Sequence, residues 1–154
     1  MPFPFILTGW VFLDEPGADV ETVLARLDAE LDRYRASSVR REGTTIHFRA
    51  GMFRFVDSWN LLVPIDHGTV TALREPGGVT LEYRISFVHL FVVTVLIVFG
   101  VMAPVLLLQQ PGLTPAGIVG MLTLMWLWLF GANLAISAVR FPKFLQRLTS
   151  PPAA

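Results

Sequence analysis

The stretch HFRAGMFRFVDSWNLLVPIDHG, residues 47–68, gathers most of the side chains in this chain that could do chemistry. It holds His47, Arg49, Arg54, Asp57, Trp59, Asn60, Asp66 and His67. An aspartate beside a histidine is the pairing that a general base needs, because the carboxylate orients the imidazole, and arginines close by would receive an anion. The same residues also have a plainer role. Asp57-Ser58 and Asp66-His67-Gly68 are turn-forming sequences whose side chains bond their own backbone. Alternation sets Ile46 and Phe48 on one face of a strand and His47 and Arg49 on the other, while Trp59, Leu61 and Val63 read as packing residues. The turn-and-strand reading is the stronger, so no catalytic residue is expected here.

Other chemistries lack their residues. There is no cysteine, which excludes disulfides, thiolate metal sites and thiol catalysis. The histidines His47, His67 and His89 have no metal-ligand spacing, and EPGGVT lacks the Lys-Ser/Thr of a phosphate loop. No cofactor and no metal are expected. The part from Asp14 to Arg84 carries all twelve acidic residues and nine of the twelve basic ones, a net charge of −3 that disfavours nucleic acid.

The elements that must position these residues are legible from periodicity. Val20, Val23, Leu24, Leu27, Leu31 and Tyr34 recur at helical spacing after Asp19, the expected N-cap. Glu21, Asp28, Asp32 and Arg35 occupy the other side, so the helix should lie on a sheet. Strands are expected in FPFILTGWVFL, on both sides of Glu42-Gly43, and on both sides of Pro76-Gly77-Gly78, where Val79, Leu81, Tyr83 and Ile85 point inward. The fold class is therefore α+β: one helix on a mainly antiparallel sheet, in the order β-α-β-β-β-β, over residues 1–86.

From Phe87 the chain turns apolar. No formally charged residue occurs between Arg84 and Arg140. Residues 87–108 and 116–139 are each long enough to cross a hydrocarbon core of ~30 Å. Residues 109–115, QQPGLTP, read as a tight external turn, with Thr114 as N-cap and Pro115 at the first helical position. Pro104 should bend the first span. Cations flank only the far ends of the hairpin, which places both termini in the cytoplasm and the protein in the cytoplasmic membrane. Within the spans, His89, Thr94, Asn133 and Ser137 are intramembrane polar residues, His89 at headgroup depth and Asn133 expected to bond across the hairpin. Gly131, Ala135 and Ala138 form a small-residue strip for helix packing, in the hairpin or between copies. Trp126 and Trp128 fall near mid-span.

Residues 140–154 are expected to form a basic amphipathic tail. Phe141, Phe144, Leu145 and Leu148 would dip into the interface, while Arg140, Lys143 and Arg147, with Arg84 before the first span, would anchor at anionic lipid. Contact between this tail and the acidic domain is the alternative. A strand that feeds a span without a linker holds its domain flush with the bilayer. The expectation is a two-pass, non-catalytic accessory or regulatory subunit that binds a protein partner or a second copy. A lipid- or hydrophobic-ligand-binding module is the second reading, and an enzyme acting on a membrane substrate the third.

Overall fold

The computed structural model describes residues 5–14, 17, 19–50, 62, 64–109 and 114–149. Five strands, β1 (Ile6–Leu13), β2 (Ser38–Glu42), β3 (Thr45–Arg49), β4 (His67–Glu75) and β5 (Gly78–Ser86), form one sheet in the order β1-β5-β4-β3-β2. All neighbouring pairs are antiparallel. Helix α1 (Val20–Arg33) carries the chain from the β1 edge to the β2 edge. The order expected from alternation is the one observed.

Each turn follows from its residues. Gly77, at φ 98°, supplies the positive φ that a type II turn requires after Pro76. That two-residue turn sets Glu75 opposite Gly78 and so fixes the register of the whole hairpin, down to His67 opposite Ser86. Asp19 stands at the N-cap of α1, although its side chain makes no capping bond there.

The inner face of the sheet presents Val11, Leu13, Ile46, Phe48, Val70, Ala72, Val79, Leu81, Tyr83 and Ile85, all buried. Val23, Leu24, Leu27 and Leu31 of α1 close over it. Arg41 and Glu21 form a two-point ion pair, with Nη1 2.6 Å from Oε1, that ties α1 to the β2–β3 hairpin. The guanidinium holds the Glu21 carboxyl below its ordinary range.

The last strand passes into a helix within one residue. Phe87 donates to the Phe5 carbonyl at 2.7 Å, extending the β1–β5 ladder, and its own carbonyl accepts the first helical bond from Phe91. Helix α2 (Val88–Val95) continues through a wider π-helical segment (Leu96–Met102) into α3 (Ala103–Gln109). Pro104 follows that segment. Its missing N–H deprives the Gly100 carbonyl of a partner, and a wider turn is the accommodation. The π segment ends at Met102, two residues before the proline. Helix α4 (Pro115–Gln146) begins as expected, with Thr114 Oγ1 accepting from the Gly117 amide at 3.2 Å and Pro115 at the first position.

Val88–Leu106 and Pro115–Gln146 are long and apolar enough to cross a membrane. Only 11% and 17% of their most apolar windows are buried within the protein. Where the two touch, Val98, Ile118 and Leu122 form a small core of their own, continued by Met102, Leu106, Met125 and Leu129.

One sequence expectation is corrected here. Helix α4 does not stop near Val139 but runs to Gln146 and ends in a 3-10 turn, Arg147–Thr149. At 1.5 Å per residue its 32 residues span about 48 Å, well beyond a bilayer core. The surplus enters the α+β domain. Phe141, Phe144, Leu145 and Leu148 are buried in the main core, so Phe141 and Phe144 are not interface anchors. Phe141 stacks on Phe48 at 6.2 Å and packs on Tyr83 at 5.1 Å, and Phe144 meets Tyr34 edge-on at 5.4 Å. Arg26 also donates to the Leu148 carbonyl at 3.1 Å. The reason is area: the inner face of the sheet is wider than the one helix α1 can cover.

Candidate functional site

The hairpin register brings three of the polar residues together where the sheet meets α2. Asp66 lies just before β4, and its amide donates to the Ser86 carbonyl at 2.9 Å. That bond holds it beside the start of α2. Its carboxylate stands between two imidazoles: Oδ2 is 2.8 Å from His67 Nδ1, and Oδ1 is 2.5 Å from His89 Nδ1. The first contact is a hydrogen bond. The second is short but out of line for one, which leaves His89 Nδ1 buried without a hydrogen-bond partner among the described residues. The Asp66 side chain is 17% exposed, against 56% for His67 and 38% for His89.

The other sequence candidates divide. His47 and Arg49 are exposed on the outer face of β3, as alternation requires, with Arg49 opposite His67 and His47 opposite Thr69. Arg54, Asp57, Trp59 and Asn60 lie outside the described residues. The outer face is ordered in rows across the strands. Nearest the helices runs Ile6–Ser86–His67–Arg49–Ser38, then Thr8–Arg84–Thr69–His47–Arg40, then Trp10–Glu82–Thr71–Thr45–Glu42. Thr45 and Thr71 hydroxyls bond across the strands at 3.0 Å. Glu42 pairs with Arg40 at 3.0 Å and lies 3.8 Å from His47.

The far end of this face is apolar. Trp10 is 71% exposed, with Phe12 and Leu73 beside it also open. Sequence reasoning missed this patch. The signal was present in β1, where Thr8, Trp10 and Phe12 alternate with Val11 and Leu13, so that both faces of the strand are apolar.

The polar residues of the helices turn inward on their own backbone. Asn133 Nδ2 donates to the Leu129 carbonyl at 2.7 Å, Ser137 Oγ to Asn133 at 2.8 Å, and Thr94 Oγ1 to Phe91 at 3.0 Å. The expected bond from Asn133 across the hairpin is thus replaced by one within α4, a common outlet for a polar side chain in an apolar helix. Trp126 stacks on Phe130 at 5.3 Å and meets Phe91 edge-on at 5.5 Å. Trp128 faces outward at 75% exposure. In the Gly131, Ala135 and Ala138 strip, a Cβ added at Gly131 would meet nothing within 4 Å, so Gly131 does not pack the hairpin. Arg84, Arg140, Lys143 and Arg147 are exposed.

An imidazole–carboxylate–imidazole set can share protons or hold a helix to a sheet. Comparison with protein-family models, with curated proteins and with solved structures gives no match.

Proposed function

We propose that this chain is a two-pass protein of the cytoplasmic membrane that acts by binding rather than catalysis. In this reading both termini are cytoplasmic, and the α+β domain presents the outer face of its sheet to a protein partner, as an accessory or regulatory subunit. The observation that carries the binding role is the uncovered sheet face, where Trp10 stands 71% exposed. Exposed tryptophan beside other apolar side chains is characteristic of interaction surfaces.

The mounting supports the same reading. Two connections, β5 into α2 and α4 into the inner core, hold the domain against the hairpin with no flexible linker. The outward residues Leu96, Ile97, Phe99, Leu124, Leu127 and Trp128 need an apolar surround, which a bilayer provides. A domain so held offers its outer face to another membrane-associated chain at a fixed height.

The test is a photo-crosslinking residue placed at Trp10, compared with one at Asp28 on the exposed side of α1, in cells at native expression. A discrete adduct from position 10 alone is expected. Equal yields at both positions, or none at position 10, would sink the proposal.

A further inference from the structure

We propose that the helix-proximal end of the outer sheet face binds the phosphate of an anionic lipid headgroup, held by Arg49 and Arg84. This rests on the membrane reading above. The two arginines flank β4 from β3 and β5, one row apart, with His67 and Thr69 between them. Both are exposed, and neither guanidinium has an ion-pair or hydrogen-bond partner among the described residues. Arg33, Arg40 and Arg41 each take a carboxylate. Among the described residues, the carboxylates nearest to Arg49 and Arg84 are otherwise placed: Asp66 is shared by two imidazoles, Glu42 by Arg40 and His47, and Glu82 lies one row farther from the helices.

Height decides the source of the phosphate. Arg49 shares the row of Ser86, the last residue before Phe87 and α2, and Arg84 lies about 7 Å below it. An arginine stem covers that distance with its head still in the polar layer. On α4, Phe141 packs on Tyr83 and Phe48, which sets Arg140 at the same level. The charge-free stretch thus ends in cations at one depth on both elements. A guanidinium fork matches phosphate at two points. Arg49 and Arg84 line two adjoining open grooves that meet at Thr69, not an enclosed pocket, so occupancy requires the high local concentration that a leaflet supplies.

The test uses the full chain in nanodiscs of equal phosphatidylglycerol and phosphatidylcholine, released into a native mass spectrometer. Wild type should retain phosphatidylglycerol preferentially. The double substitution Arg49→Gln/Arg84→Gln should lower that preference about twenty-five-fold, at roughly fivefold per arginine. Arg49→Lys/Arg84→Lys, which keeps the charge without the fork, should fall between the two. Arg33→Gln, on the exposed side of α1, should match wild type. Unchanged retention in the glutamine variant, or an equal loss in Arg33→Gln, overturns the site. Displacement of the lipid by millimolar inorganic phosphate, added alone, overturns the lipid assignment in favour of a soluble anion. A protein that fails to enter nanodiscs at all refutes the membrane reading instead, so the two failures are distinct. Matching thermal melts of the variants exclude misfolding as the cause.

Discussion

Asp66 is the residue on which the junction between sheet and helix turns. Its carboxylate meets His67 from its own strand and His89 from α2, and a carboxylate shared in this way contributes more than a surface ion pair. Asp66→Asn should destabilise the protein by about 1–3 kcal/mol, the usual range for a lost charge-assisted hydrogen bond. Thermal melts in detergent measure it, and combination with His89→Leu separates the coupling between the two residues. Equal losses with and without His89 would show that Asp66 acts through His67 alone. Tyr83 gives a second handle. Burial raises its phenol above the ordinary 10.0, so the native state holds the proton more tightly than the unfolded chain does. Its contribution is therefore intact below that value and is lost as pH rises through the raised one. Stability should fall in that alkaline window, and Tyr83→Phe should flatten the fall.

Among the elements, those whose pattern is local were legible in the sequence. The stripe of α1, the alternation of β3 and β5, and the cap at Thr114 each depend on neighbours within a turn or a strand. Contacts made across the fold were harder to read. Phe141, Phe144, Leu145 and Leu148 show one apolar stripe whether they meet lipid or a sheet, and only the uncovered width of the inner face decides between them. The approach of Asp66 to His89 could have been found. Counting back from the Pro76-Gly77 turn sets His67 opposite Ser86, which leaves Asp66 beside the first turn of α2. Three substitutions test the element packing. Phe141→Ala should cost about 3–5 kcal/mol, the range for a buried aromatic, whereas Leu124→Ala on the outward side of α4 should leave the melt of the domain nearly unchanged. Gly68→Ala would drive a methyl to 2.5 Å from Phe48 Cζ and 2.8 Å from Ile85 Cγ2, with a loss of about 1–3 kcal/mol. Circular dichroism melts of the purified full chain read all three. A Phe141→Ala protein as stable as wild type would remove α4 from the domain core.

At the scale of the whole molecule, the domain and the helical hairpin form one body because α4 belongs to both. Its first part packs on α2 and the π segment, and its last turns complete the core beneath the sheet. Phe141 and the β5–α2 joint are two links between hairpin and sheet. Such a body is suited to presenting a binding face at fixed height, which is the central claim. The absence of cysteine allows that claim to be tested cleanly, since any introduced thiol is the one reactive site. The measurement is labelling by a membrane-impermeant maleimide of Ala116→Cys, at the start of α4, and Asp28→Cys, on α1, in intact and in permeabilised cells. Both side chains are exposed. Labelling of position 116 in intact cells, and of position 28 only after permeabilisation, is the predicted result. Labelling of position 28 from outside, or of both positions only after permeabilisation, would contradict the account.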